Sequence, residues 1–180
     1  YKYFRSKERI LWEIHHLRML EYGEQLRVQL SAPWQTTYDR FSLFFNFLYR
    51  EFSERTDTFL FLRVFDSIYQ RETAKEAHGI YETVFHPQDF GTGATVRLLA
   101  NHFHDGSVRP DLEPISTCAT MMYSALAILS FFAKDSCFLS AKYGADANLM
   151  VRTALDSLLH GIAAQPPAVA EEKEEAARRG

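Results

Sequence analysis

Apolar side chains recur along this chain at intervals of three and four, the period of a helix, and no segment alternates with period two for long enough to make a strand. Ile10, Ile14, Leu17 and Leu20 open the pattern at steps of 4, 3 and 3. Ser6 is the expected N-cap and Glu8 puts a negative charge in the first turn, so a first helix is expected to begin near Lys7 and run to about Leu30. Ser31-Ala32-Pro33 breaks it, with Pro33 expected in the first turn of the next helix, where its missing N–H costs nothing. That second helix carries the broadest aromatic stripe, Tyr38, Phe41, Phe44, Phe45, Leu48 and Phe52, with Asp39, Arg40, Arg50 and Glu51 largely off it. Asp57 is expected to cap a third helix bearing Phe59, Leu62, Phe65 and Ile68 or Tyr69, ending near Arg71.

Thr73-Ala74-Lys75-Glu76 matches a capping box and starts a fourth helix. It lasts until His86-Pro87, where the residue before proline is pushed out of the helical region. A further helix is expected from about residue 88 to 104, weakened at its start by Gly91 and Gly93, with Gly106 as its left-handed C-cap. The proline-rich stretch 106–114 leads into a run from 115 to about 134 that is apolar almost all round. Asp146 is placed to cap the last helix, whose Val151, Leu155, Leu158, Leu159 and Ile162 form one stripe before Gln165-Pro166-Pro167 stops it. Residues 168–180, small or charged, read as a solvated tail. The predicted fold class is all-α, an antiparallel helical bundle.

Composition narrows the classes of function. The 180 residues are 47% hydrophobic and 24% charged, which suits one compact domain with a substantial core. A formal charge of -3 gives no global attraction to nucleic acid, so any DNA contact needs a local basic patch. Cys118 and Cys137 lack metal-ligand spacing and are too few for a disulfide scaffold, which suits a reducing cytoplasm. The first residues lack a signal-peptide core, and no apolar run approaches the length of about 20 residues that spans a bilayer, so neither export nor a membrane partner is expected. The 15 Phe and 9 Tyr are the unusual feature, and they fit either a Phe-rich core or an aromatic-lined cavity.

The segment Tyr1-Lys2-Tyr3-Phe4-Arg5-Ser6-Lys7-Glu8-Arg9-Ile10-Leu11 resembles the junction in TetR-family transcriptional regulators where the recognition helix of the helix-turn-helix ends and the connecting helix begins. Residues 105–114, Asp-Gly-Ser-Val-Arg-Pro-Asp-Leu-Glu-Pro, resemble the turn before that family's penultimate helix. Residues 155–162, Leu-Asp-Ser-Leu-Leu-His-Gly-Ile, are similar to its last helix. The resemblance implies that residues 1–6 are a remnant of the recognition helix and its link, 7–164 an effector-binding and dimerisation domain, and 165–180 a charged tail. Most of the helix-turn-helix would lie before residue 1, so operator DNA is a partner only of a full-length parent.

By that resemblance Tyr1, Lys2, Tyr3 and Lys7 are DNA contacts, with hydroxyls and ammonium groups converging on phosphate oxygens. The last two long helices would pair with their copies in a homodimer four-helix bundle, through Ala119, Ala125, Leu126, Leu129, Val151, Leu155, Leu158, Leu159 and Ile162. A small hydrophobic or aromatic effector is expected among Phe41, Phe45, Phe61, Phe65, Tyr69, Phe103, Met122 and Tyr123, with Asn101 and His102 as polar anchors. Binding it would tilt the connecting helix and separate the DNA-reading heads, releasing the operator by population shift.

Enzymatic signals are weak. His102 and His104, two apart on an expected helix, point about 200° apart and share no ligand face, and the adjacent His15 and His16 fail similarly. Phosphate loops, zinc cysteine pairs and nucleophile elbows are missing from the sequence, so no catalytic residue, metal or cofactor is expected. The alternative is a helical enzyme or haem-binding bundle with His16, His86, His102 or His160 as axial ligands, or a dimerisation module with a filled core.

Overall fold

In the computed structural model, residues 7–30, 35–69 and 92–164 are described. They form six helices: α1 (Lys7–Leu30), α2 (Thr37–Glu54), α3 (Thr56–Tyr69), α4 (Thr92–Ala100), α5 (Pro114–Tyr143) and α6 (Ala147–Ile162). Strands are absent among these residues, and one isolated bridge joins Val108 to Ala163. The protein is all-α. Expected features at Ser6, Thr73-Ala74-Lys75-Glu76, His86-Pro87 and the tail from residue 165 fall outside the described residues.

The aromatic helix α2 is the axis of the bundle, packing on each of the other five described helices. Its buried arc is therefore wider than one stripe. Phe41, Phe44, Phe45, Leu48 and Phe52 are buried as expected, but so are Thr37, Arg40, Phe47 and Glu51. Arg40 and Glu51, expected largely off the stripe, lie about three turns apart along one edge of the arc, the edge that a helix covered on several sides turns inward.

Helix ends explain where each element starts. α2 begins at Thr37 rather than at Pro33, because Thr36 and Asp39 form a reciprocal capping box. The four backbone N–H groups that a helix start leaves without intrahelical partners all find side-chain acceptors here. Thr36 N donates to Asp39 Oδ2 at 3.1 Å, Thr37 N to Asp105 Oδ2 at 2.5 Å, Tyr38 N to Ser107 Oγ at 3.0 Å and Asp39 N to Thr36 Oγ1 at 3.1 Å. Two of those acceptors sit on the loop after α4.

α4 ends at Ala100, short of the expected residue 104, because His102 already adopts a left-handed φ of 51°. Gly106, with φ 86°, turns the chain further on instead of capping the helix. The carbonyls exposed by this early stop are claimed by α2: Thr37 Oγ1 donates toward His102 O and Phe103 O at 3.2 Å each, and Arg40 donates to Asn101 O. Arg40 also reaches Gln35 O at 3.2 Å and Thr37 Oγ1 at 3.0 Å. The same loop receives the end of α6, with Arg109 N donating to Ile162 O at 2.9 Å and Ala164 N to Ser107 O at 3.1 Å.

α3 begins one residue before Asp57, which lies in its first turn, and is described to Tyr69, so its expected end near Arg71 lies outside the described residues. α5 starts under a Glu113 cap that accepts from Ile115 N and Ser116 N, with Pro114 inside the first turn. It runs nine residues past the expected end at 134, because the polar Lys134-Asp135-Ser136 step is followed by Leu139, which returns to the core. Gly144, with φ 63°, closes it in a left-handed C-cap. α5 is long and apolar enough to cross a membrane by length and composition, with a mean hydropathy of 1.6 over its best window. This corrects the expectation of no such run: serines and threonines interrupt the apolar residues without lowering the average far. In the bundle its Cys118, Met121, Met122, Ala125 and Leu129 are buried. Asp146 caps α6 as expected, accepting from Asn148 N at 2.8 Å.

Burial pushes the Arg40 guanidinium below its ordinary range, and the nearby Asp105 carboxylate opposes the shift. Replacing Arg40 by Met would leave the carbonyls of Gln35 and Asn101 without this donor in a buried site. We expect Arg40→Met to cost roughly 2–4 kcal/mol, measured by denaturant unfolding.

Asp105 shows the opposite balance. Partial burial raises its pKa, but hydrogen bonds from Ser107 and Thr37 outweigh that and hold it below the usual carboxylate range. A depressed folded-state pKa stabilises fully above the unfolded value of about 3.9 and fades as pH falls through the folded one. Asp105→Asn is therefore expected to lower stability at pH 7 and to flatten the loss of stability below about pH 4, followed by thermal melting across that range.

Candidate functional site

The residues expected to hold an effector divide into three groups. Phe41, Phe45, Phe103 and Met122 are buried in one continuous core. Phe45 is flanked by Phe41 and Phe44, with ring centroids 6.1 and 5.7 Å away, and the packing there is aromatic on aromatic. Phe61 and Phe65 form a second group, 5.9 Å apart on α3, where the Phe65 ring stacks on His15 of α1 at 4.2 Å. Asn101, His102 and Tyr123 are on the surface instead.

That last placement corrects the expectation of two polar anchors inside the bundle. Asn101 and His102 belong to the loop after α4, which turns outward once its carbonyls are bonded to α2. Tyr123, 57% exposed, lies on the outer face of α5. Tyr69 ends α3, and its side chain is outside the described residues, as are Tyr1, Lys2 and Tyr3 entirely. Lys7 opens α1 and is exposed.

Six of the nine expected dimer residues are taken up by the chain's own core. Ala125, Leu129 and Val151 are fully buried within one copy, Leu155 is 1% exposed, and Leu159 and Ile162 are also buried. Ala119, Leu126 and Leu158 are half-buried against the same core. The reason is that α2 and α5 pack directly on α6, so the single stripe of α6 is consumed by its own chain. What α5 leaves outside is a second stripe at helical spacing: Ser116, Thr120, Tyr123, Ala127, Phe131, Lys134 and Phe138 are all exposed.

A polar cluster that the sequence did not single out sits where α1 meets the α2–α3 corner. Glu21 accepts from Arg18 at 2.9 Å and from Arg55 at 3.3 Å. The Arg18 and Arg55 hydrogen bonds hold the Glu21 carboxyl below its ordinary range. Arg55 also approaches Glu51 Oε2 at 3.9 Å, and Arg50 approaches Glu51 Oε1 at 4.0 Å. Inward of these lies Tyr22, 8% exposed, with Phe47 edge-on to its ring at 5.6 Å. Burial pushes the Tyr22 phenol above its ordinary range, with Thr58 and Glu51 close enough to shift it further in opposite senses. Both lie within hydrogen-bond reach of the hydroxyl, although neither Tyr22 Oη nor Glu51 Oε2 closes a hydrogen bond of good geometry.

Among the described residues, no three His, Cys, Asp or Glu side chains gather in a metal-holding arrangement. Of the four candidate axial histidines, His102 and His160 are exposed, the His16 side chain is not described, and His86 lies outside the described residues. Burial pushes the Cys118 thiol up to about 12, which removes it as a nucleophile. No protein-family model, curated protein or solved structure matches this chain.

The contrast between the two faces of the α5–α6 pair has a direct test. Leu155→Ala is expected to cost about 2–5 kcal/mol because it opens a cavity in the single-chain core. Leu149→Ala, at an exposed α6 position, should stay within about 0.5 kcal/mol, both read from denaturant midpoints.

Proposed function

We propose that residues 7–164 form the effector-binding and dimerisation domain of a TetR-like, ligand-responsive transcriptional repressor acting in the cytoplasm. The observation that carries this reading is the seating of α1. This helix follows the segment that resembles the family's DNA-reading junction, and it lies along α2, tied to the α2–α3 corner by the Arg55–Glu21 ion pair. A small hydrophobic or aromatic molecule that shifts the aromatic side chains of α2 and α3 would move α1 with them. The heads attached to its start in a full-length parent would then separate, and operator affinity would fall.

Dimerisation in this reading uses the outer stripe of α5 rather than the residues first expected. Thr120, Ser124 and Ala127 leave room beside the larger Tyr123 and Phe131, so that two copies of α5 related by a two-fold axis can interdigitate.

Sedimentation velocity and melting curves test both parts. The chain is expected to sediment as a dimer, and Ala127→Glu as a monomer of unchanged helicity. Saturation with an apolar aromatic compound is expected to stabilise the fold by about 2.7 kcal/mol at a hundred times its Kd. A monomeric wild-type chain whose melting point no such compound moves would remove the proposal.

A further inference from the structure

We propose that the outer stripe of α5 is a self-complementary seam, along which a second copy of the chain lies antiparallel with Ala127 facing the partner's Ala127. The proposal rests on the dimer reading and adds the direction and register in which the copies meet.

The stripe is long and almost straight. Ser116, Ala127 and Phe138 are spaced by 11 residues, and such a repeat takes about 3.67 residues per turn, close to the 3.6 of an undistorted helix. The exposed line therefore stays on one side of α5 over most of its 30 residues, so a second helix can follow it instead of crossing it at a point. Tyr123, Phe131 and Phe138 stand on it 57%, 45% and 60% exposed. An apolar patch of that kind marks an interaction site.

Charge sets the direction. Glu113 caps the start of α5, its carboxylate held there by Ile115 N–H and Ser116 N–H. Lys134 and Lys142 are exposed toward the other end, where the Lys142 ammonium lies over the Phe138 and Tyr143 rings at 5.5 and 5.1 Å. Two copies laid parallel would put each lysine against the same lysine and each Glu113 against Glu113. Reversing one copy brings the acidic start of each helix beside the basic end of the other.

Size sets the register. With Ala127 on the two-fold axis, the smallest residue of the stripe sits where the backbones come closest. Tyr123 then faces the partner's Phe131, an aromatic pair made twice by the symmetry. Thr120 faces the partner's Lys134 and can accept from its ammonium, and Ser116 leaves room for the partner's Phe138. Sliding the copies by about two turns would instead force the two Tyr123 rings together at the axis and carry Phe138 past the partner's first turn.

The experiment is disulfide cross-linking of the whole chain in a Cys137→Ser background, read on non-reducing gels, with circular dichroism showing that each variant folds. The positions changed are all exposed. Ala127→Cys is expected to form a disulfide dimer on mild oxidation. Thr120→Cys and Lys134→Cys should each remain uncrosslinked alone, since each lies about 21 Å from its own copy along an antiparallel seam. The chain carrying both should cross-link, with roughly tenfold more disulfide dimer than either single variant, because only facing cysteines reach bonding distance. Cross-linking of Lys134→Cys alone as readily as Ala127→Cys would overturn the antiparallel direction. Failure of the double variant while Ala127→Cys succeeds would overturn the register. A chain that sediments as a dimer but cross-links at none of these positions would remove the seam and leave the dimer reading standing on another face, whereas a monomeric chain removes both.

Discussion

A single loop holds three helix ends, and the bundle depends on it. Residues 101–109 accept the first N–H groups of α2 through Asp105 and Ser107, offer their carbonyls to Thr37 and Arg40, and bond the last turn of α6 through Arg109 and Ser107. Helix ends are where backbone groups lack partners, so bringing three ends to one place lets them supply each other. The buried Arg40 is the centre of the exchange. Its guanidinium carries several donors in a fixed plane, and it spends them on carbonyls from two separate stretches of chain. A lysine, with a compact head and no fork, would not reach both. The energetic risk of burying a cation is met by carbonyl dipoles and by the nearby Asp105, without a direct ion pair.

With α2 fixed at its start, its length becomes the axis against which everything else is placed. Phe41, Phe44, Phe45, Phe47 and Phe52 fill the interior on one side after another, and this accounts for much of the aromatic excess in the composition. The core therefore explains most of the phenylalanines without a ligand. What it does not explain is the polar pair of Tyr22 and Glu51 at the far end of the same helix edge, three turns from Arg40. One end of that edge has its buried polar atoms largely bonded by backbone, with the Arg40 Nε left over; at the other end the Glu51 carboxylate lies among Arg50, Arg55 and the Tyr22 phenol.

Much of the helical layout was legible in the sequence because it rests on local rules. Residues 7–30 are helical throughout as expected, and the caps at Asp146 and the proline-bearing start of α5 follow from side chains next to the helices they serve. The errors arise where a distant segment decides. Thr36 rather than Pro33 starts α2, and α4 stops at Ala100, because α2 and the loop after α4 bond to each other across more than sixty residues of sequence. The placement of Asn101, His102 and Tyr123 on the surface, and of six expected dimer residues in the chain's own core, has a related reason. A helix such as α5, apolar almost all round, gives no sign of which face its own chain will cover, so Leu129 and Tyr123 looked equally available although one is buried and the other exposed. Glu51 and Arg40 lie largely off the aromatic stripe in the sequence, and only the number of helices around α2 turns them inward.

The apolar character of α5 on both faces also bears on how the chain is made. Synthesis delivers α1 to α4 before α5, and α6 only after it. Until then a thirty-residue helix of mean hydropathy 1.6 over its best window lacks the cover that α6 gives it in the finished bundle. Nascent chains with such surface are prone to aggregate or to be captured by chaperones. The short turn at Gly144, which brings α6 back at once, shortens the interval during which that choice is open.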